Sequence, residues 1–297
     1  MAKKTKRSRR TKLQRRCGAM AAHMMLLERF PSYRANQMRL EDATTRQRER
    51  RIDLKTAKIV TIKTVVNVVY KTTEQNVSTA QINSQIKALN KDFRASNPDK
   101  SKTPAAWTGL VTDARIQFKL VKVTRTKTNE DDFSFNDGVK SPSTGGIAPF
   151  SPKTHLNLWV CALRDNLLGY AQFPGGPQST DGVVINYLAL GTSGTAQSPF
   201  DLGRTATHEI GHYFNLRHIW ADTPDCGGSD MVPDTPNCAG PNTGMPPWPT
   251  ITCNNGPNGD MFVNYMDYTD DAGMFMFTVQ QVLRMRTALE TERSGLM

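Results

Sequence analysis

The segment HEIGHYFNLRH (208–218) decides the reading of this chain. His208 and His212 lie four residues apart, so on a helix both imidazoles leave one face and can reach a single metal ion. Glu209 stands beside the first of them, and His218 follows six residues after the second. Three of the five histidines in the chain thus fall within these eleven positions, a concentration that a merely solvated helix does not require. A structural zinc site fills four positions with Cys or His, whereas three imidazoles leave one position for an exchangeable ligand, as catalysis needs. Zinc bound there would bring the pKa of a water towards about 7, and Glu209 would take its proton and pass it to a leaving amine. The expected chemistry is therefore zinc-dependent hydrolysis of a peptide bond. For His218 to reach the same ion, the helix must stop soon after His212 and the chain must turn sharply. Asn215 is placed for that bend, because Asn tolerates positive φ.

Around this segment the composition is that of a globular chain. Of its 297 residues 38% are apolar, enough for an ordinary core. No run approaches the roughly 18 consecutive apolar residues of a membrane span, so membrane insertion is excluded. The net charge of +11 sits almost wholly at the start. Residues 1–55 carry 17 Lys/Arg against 5 Asp/Glu, or +12, which leaves 21 against 22, or −1, for residues 56–297. A folded part without net positive charge is a poor grip for nucleic acid, although the basic head could touch acidic partners.

Residues 1–16 hold nine basic and no acidic side chains and are expected to be a disordered tail. From Ala19 to Leu40 an apolar and charged pattern predicts one or two short helices broken near Pro31, and RQRERR (46–51) reads as an exposed, cleavable link. The main domain is expected to begin at the alternating strand KIVTIKTVVNVVY (58–70). Ser78 or Thr79 can cap a helix through Ile82, Ile86, Leu89 and Phe93. Further strands are expected at 115–123, 155–163 and 182–190, and a last helix near Thr278 running through Val282, Met285 and Leu289. The alternation points to a mixed sheet covered by helices. Residues 222–260, rich in Pro, Gly, Asn and Asp, form a long irregular stretch of the kind held by metal or disulfide. Cys226, Cys238 and Cys253 lie in it, which favours at least one disulfide and an oxidising compartment. With five cysteines at least one stays unpaired within the chain. No clear signal peptide is present: AMAAHMMLL after the basic start contains a histidine and leads to no small-residue cleavage site.

The long histidine motif, together with NYMDY (264–268), resembles the metzincin metalloproteases, in which a methionine-containing turn follows the zinc motif. The resemblance implies that Met266 forms an apolar floor beneath the ligands and that Tyr268 helps stabilise the oxyanion. More narrowly, HEIGHYFNLRHIW, DMVPDTP and CNNGPNGDMFVNYMDYTDD resemble the pappalysin family, ulilysin-type enzymes included, over roughly residues 56–290. That resemblance implies an α+β metzincin-type domain, a twisted mixed sheet with helices above the cleft and an irregular lower subdomain. It implies that GYAQFPGG (169–176) and the strand near Val183 line the cleft, where an extended polypeptide substrate adds as a strand. It also implies a Cys226–Cys253 disulfide and calcium at Asp230 and Thr235. A second family disulfide would use the positions of Met245 and Gly273, leaving Cys238 a spare thiol. Cys161, in an apolar strand, reads as a core residue. RRCGAM (15–20) looks like a latency segment whose Cys17 takes the exchangeable zinc position, with Arg15 and Arg16 expected to depress the thiol pKa. Residues 1–55 would then be a propeptide and 56–297 a catalytic domain, exported to an extracellular setting. Asp270 and Asp271 could favour basic side chains in the pocket beyond the scissile bond.

Overall fold

The computed structural model describes residues 14–50, 54 and 56–297; the expectations for the first 13 residues, and for Arg51 at the end of RQRERR, lie outside that set. The chain begins with α1 (Ala19–Arg29) and α2 (Pro31–Glu49), interrupted at Phe30 because Pro31 has no N–H to continue the first helix. The second helix outruns its expectation. Within RQRERR, expected to be an exposed, cleavable link, Arg46, Glu49 and Arg50 are exposed, but Arg46–Glu49 close the last turn of α2 and Arg50 caps it. The disordered tail also ends earlier than expected, since Arg15 is buried with its guanidinium on Thr269 and Asp271.

The domain proper follows as β1 (Val60–Tyr70), α3 (Thr79–Phe93), the single turn α4 (Ala105–Thr108), β2 (Ile116–Lys127), β3 (Leu156–Cys161), β4 (Gly169–Ala171) and β5 (Val183–Asn186). After these come α5 (Arg204–Tyr213), β6 (Thr243–Gly244), β7 (Tyr268–Thr269) and α6 (Val279–Glu290). Ser78 caps α3, accepting from the Gln81 N–H, and Thr278 with Gln281 forms a capping box on α6. The strand expected over 182–190 stops at Asn186, whose side chain accepts from the Leu188 N–H and turns the chain into a 3-10 helix.

The sheet has the order β2-β1-β3-β5-β4, with β1, β2, β3 and β5 parallel and β4 antiparallel at the edge. β3 and β5 are buried along their whole length, as strands covered on both faces must be. β2, at the opposite edge, carries Lys119, Lys122, Arg125 and Lys127, charges that discourage further strand pairing. One core joins the sheet to α3, α5 and α6 through Ile86, Phe93, Leu158, Ile185, Ile210, Phe214 and Met285. The architecture is thus the expected mixed α+β fold, with Cys161 in the core. Among the described residues no helix is long and apolar enough to cross a membrane.

The lower part has little regular structure and is held by polar groups and one covalent link. Asp234 accepts from Thr278 Oγ1 and the Gln280 N–H, fixing the start of α6 to the DMVPDTP loop. Asp260 accepts from Thr252 and Asn255, and Asp267 from the Asn242 and Tyr268 N–H groups. Cys226 and Cys253 are bonded, 27 residues apart. Cys238 is free and buried, and Met245 and Gly273, where a second bridge was missing, lie against one another. Closing a loop of that length restricts the unfolded chain by about 3–4 kcal/mol. A Cys226→Ser/Cys253→Ser variant should therefore lose about that much unfolding free energy and show a lower denaturant midpoint; an unchanged midpoint would remove the disulfide from the stability account.

Candidate metal centre

α5 starts after Gly203 and ends where the Phe214 N–H turns back to Ile210 and Gly211. Asn215 follows with φ 75, the left-handed bend expected from the sequence, and the Leu216 N–H returns to the Gly211 carbonyl. That reversal brings His218 to the other two histidines. The three Nε2 atoms are 3.1, 3.1 and 3.2 Å apart. Nitrogens bound to zinc at about 2.0–2.1 Å in a tetrahedron are about 3.3 Å apart, so the spacing fits.

Protonation follows from the partners behind the rings. His208 Nδ1 lies 2.7 Å from the Tyr265 carbonyl and His212 Nδ1 2.7 Å from the Leu216 carbonyl. A carbonyl can only accept, so both rings carry their proton on Nδ1 and turn the Nε2 lone pair inward. His218 Nδ1 meets Asp222 Oδ1 at 2.6 Å, the carboxylate backing that orients a metal-bound imidazole. Burial, and then the neighbouring imidazoles, push His208 and His212 well below the usual histidine range. Three buried lone pairs converging on one point repel unless a cation lies between them, and this donor set fits zinc.

Met266 is fully buried behind the helix. A side chain at Gly211, between the two helical ligands, would meet the Met266 sulfur at 2.4 Å, so the glycine is what admits the methionine floor. Trp220 stacks on the His218 ring at 4.3 Å and 8°. The sequence reading had assigned no role to Gly211, Trp220 or Asp222, because each matters only once the chain has folded back.

Cys17 closes the group. Its sulfur and the three imidazole nitrogens lie within 4.8 Å of one another, and among the described residues no other cluster of His, Cys, Asp or Glu gathers in this way. Its thiol donates to Glu209 Oε2 at 3.3 Å, and its N–H donates to the Tyr268 hydroxyl at 3.2 Å. Gly18 N–H donates to the Gly169 carbonyl and Leu168 N–H to the Arg16 carbonyl, so the segment lies on the free edge of β4 in the parallel sense. Burial pushes the Glu209 carboxyl up to about 8, with the Cys17 hydrogen bond and the Arg15 charge working against it. The expectation that Arg15 and Arg16 lower the Cys17 pKa does not hold. Burial, followed by the Glu209 charge, holds the thiol well above its ordinary value, because Arg15 and Arg16 are engaged elsewhere.

Arg15 enters a buried pocket. Its terminal nitrogen donates to Asp271 Oδ1 at 2.5 Å, its Nε to the Thr269 carbonyl at 3.0 Å, and its guanidinium lies over the Phe200 ring. Asp271 is fully buried and also accepts from the Leu202 and Arg204 N–H groups, whereas Asp270 is only partly buried. Asp230 and Thr235, the expected calcium ligands, are in contact: Thr235 Oγ1 donates to Asp230 Oδ2 at 2.7 Å, and the Val232 N–H to Oδ1 at 3.0 Å. Burial pushes the Asp230 carboxyl up to about 7.

Residues 152–290 match the family model described as pregnancy-associated plasma protein-A. An extracellular metalloprotease of Arthroderma otae is 31% identical over 244 residues, covering 80% of each chain. The chain belongs to the pappalysin metalloproteases. It is therefore a metalloendopeptidase, and the metal that its three histidines imply is zinc. The structure of Tannerella forsythia mature mirolysin in complex with a cleaved peptide is similar at 46% identity and a TM-score of 0.79, covering 81% of this chain and 96% of that one. A variant of T. forsythia promirolysin is similar at 41% identity and a TM-score of 0.85, covering 94% and 96%. The larger share of this pappalysin that matches the pro-form accords with a latent precursor.

Proposed function

We propose that residues 1–55 are the propeptide of a secreted zinc endopeptidase, that 56–297 are its catalytic domain, and that Glu209 and Tyr268 work on the peptide bond beside His208, His212 and His218. The observation that carries this reading is the convergence of three inward-facing Nε2 atoms with the Cys17 sulfur, while Glu209 accepts a hydrogen bond from the thiol. Zinc at this position supplies a Lewis acid that polarises the scissile carbonyl and makes a water more acidic. Glu209 accepts the water proton on its carboxylate and delivers it to the departing amine. Its reach is set by Gly169, since any side chain there would press on the Glu209 Cγ at 2.8 Å. The Tyr268 hydroxyl, freed of the Cys17 N–H, donates to the oxygen on which charge develops.

Cys17 blocks the exchangeable position in the precursor, and the segment around it covers the strand edge that a substrate would use. Arg15 in the Asp271 pocket stands in for a basic substrate side chain on the carboxyl-terminal side of the scissile bond. Chelation should abolish cleavage by the processed enzyme and added zinc should restore it; full activity in a zinc-free sample would overturn the reading. For peptides with Arg after the scissile bond, Asp271→Asn should lower kcat/KM by about 10²–10³-fold, because a buried guanidinium loses its counter-charge. Peptides with a neutral residue there should lose little, and an equal loss for both would count against the pocket.

Calcium at Asp230 and Thr235 is supported by a buried carboxylate and by the Thr235 hydroxyl oxygen against it. Millimolar calcium should raise the Tm of the wild type but not of Asp230→Asn; a rise in both would place the ion elsewhere. Secretion is supported by the Cys226–Cys253 bond and by relatives named extracellular metalloproteases. Extended polypeptides are the substrates that an open β4 edge suits.

A further inference from the structure

Glu41, on α2, is held by donors that belong to the catalytic part. Arg284, on α6, is almost fully buried and donates from both terminal nitrogens to the two Glu41 oxygens, Nη1 to Oε2 at 2.7 Å. Its Nε is fixed on the Asn215 carbonyl at 2.6 Å, so the guanidinium plane is set by the turn between His212 and His218. The Asn215 Nδ2 is buried with no acceptor at hydrogen-bonding geometry. Arg217, half-buried, makes no hydrogen bond and no ion pair among the described residues. Burial works to raise the Glu41 carboxyl, yet Arg284, Arg217 and Asn215 together hold it below its usual range.

Glu41 leaves with the propeptide, while its three partners stay. Loss of Glu41 opens the recess and leaves the Arg284 guanidinium, still fixed through Nε on the Asn215 carbonyl, without its bidentate acceptor, so the recess favours another carboxylate in its place. Its location gives that carboxylate a meaning. β4 starts at Gly169, beside Cys17 and Glu209, and its continuation ends at Pro174 and Gly175, which accept from Gln37 and Asn36 of α2. Arg15 and the Asp271 pocket lie at the first end, and the helix that carries Glu41 lies at the second. A peptide on β4 with a basic side chain in the Asp271 pocket therefore points its amino-terminal half towards Arg284.

We propose that Arg284, Arg217 and Asn215 form a carboxylate-binding subsite of the processed enzyme, selecting substrates with an acidic side chain on the amino-terminal side of the scissile bond. The subsite rests on the endopeptidase reading above. The test uses processed enzyme and peptides with Arg fixed after the scissile bond, in which Glu or Gln is scanned through the preceding positions. At one position the Glu peptide should exceed the Gln peptide by about tenfold in kcat/KM, mainly through KM. Arg217→Gln should shrink that ratio and Arg284→Met should bring it near one. Should Arg284→Met fail to fold, the wild-type ratio and Arg217→Gln decide. A ratio of one at every position, or a ratio that both variants leave unchanged, overturns the subsite while peptides are still cut. A ratio of one with inhibition by the amino-terminal product as free acid, but not as amide, assigns the recess to a terminal carboxylate and also overturns it. No cleavage of any peptide by zinc-loaded enzyme would instead overturn the endopeptidase reading.

Discussion

Replacing Glu209 by Ala is expected to lower kcat by about 10²–10⁴-fold, the range contributed by a positioned proton carrier. Zinc should stay at one ion per chain. The two effects separate because the carboxylate is not among the inward-facing donors. His208, His212 and His218 are oriented from behind by the Tyr265 and Leu216 carbonyls and by Asp222, none of which touches Glu209. Metal analysis beside a peptide-cleavage assay on the processed variant decides the matter. Near-normal turnover would mean that another group carries the proton. Loss of both zinc and turnover would mean that Glu209 acts by holding the site together.

The second large effect concerns the precursor. The resemblance of RRCGAM (15–20) to a latency segment implies that Cys17→Ala activates the precursor without cleavage. In the folded chain the thiol is one of several ties. Backbone hydrogen bonds at Arg16 and Gly18 cover β4, Arg15 fills the Asp271 pocket, and Glu41 is clamped by Arg284. Cys17→Ala should thus let solvent reach the metal while the uncut precursor stays far less active than the processed enzyme. Removing one member of a buried charge pair costs about 3–5 kcal/mol, which is about 10²–10⁴-fold in an equilibrium. Adding Arg15→Ala to Cys17→Ala should raise the open fraction by a factor of that order and with it the activity of the intact chain. Peptide cleavage by uncut protein, verified by its mass, measures this. Full activity of Cys17→Ala alone would leave the thiol as the sole lock.

Local patterns were legible where one stretch of chain settles the matter. The fourfold spacing of His208 and His212, the bend at Asn215, the capping residues Ser78 and Thr278 and the apolar stripes of α3 and α6 each depend on a few neighbours in sequence. The boundaries were less legible. RQRERR carries the charges of a loop, yet its residues 46–50 close a helix because α2 is laid on α6, and a docked helix persists where its local sequence is indifferent. Tyr268 and Met266 were found through a motif, whereas Gly211 had no local signal, because its need to be small comes from a methionine 55 residues later.

By itself the amino-acid sequence determined the helix and turn that bring three imidazoles together, the positions of the main strand-forming segments and the chemical types available for catalysis. These follow from periodicity and backbone preference, which act over a few residues. Only the tertiary structure decided what each charge meets. Arg15 and Asp271 are 256 residues apart, and Arg284 and Glu41 are 243 apart. Burial turns those four charges from solvated surface groups into obligate pairs, and burial is a property of the assembled chain.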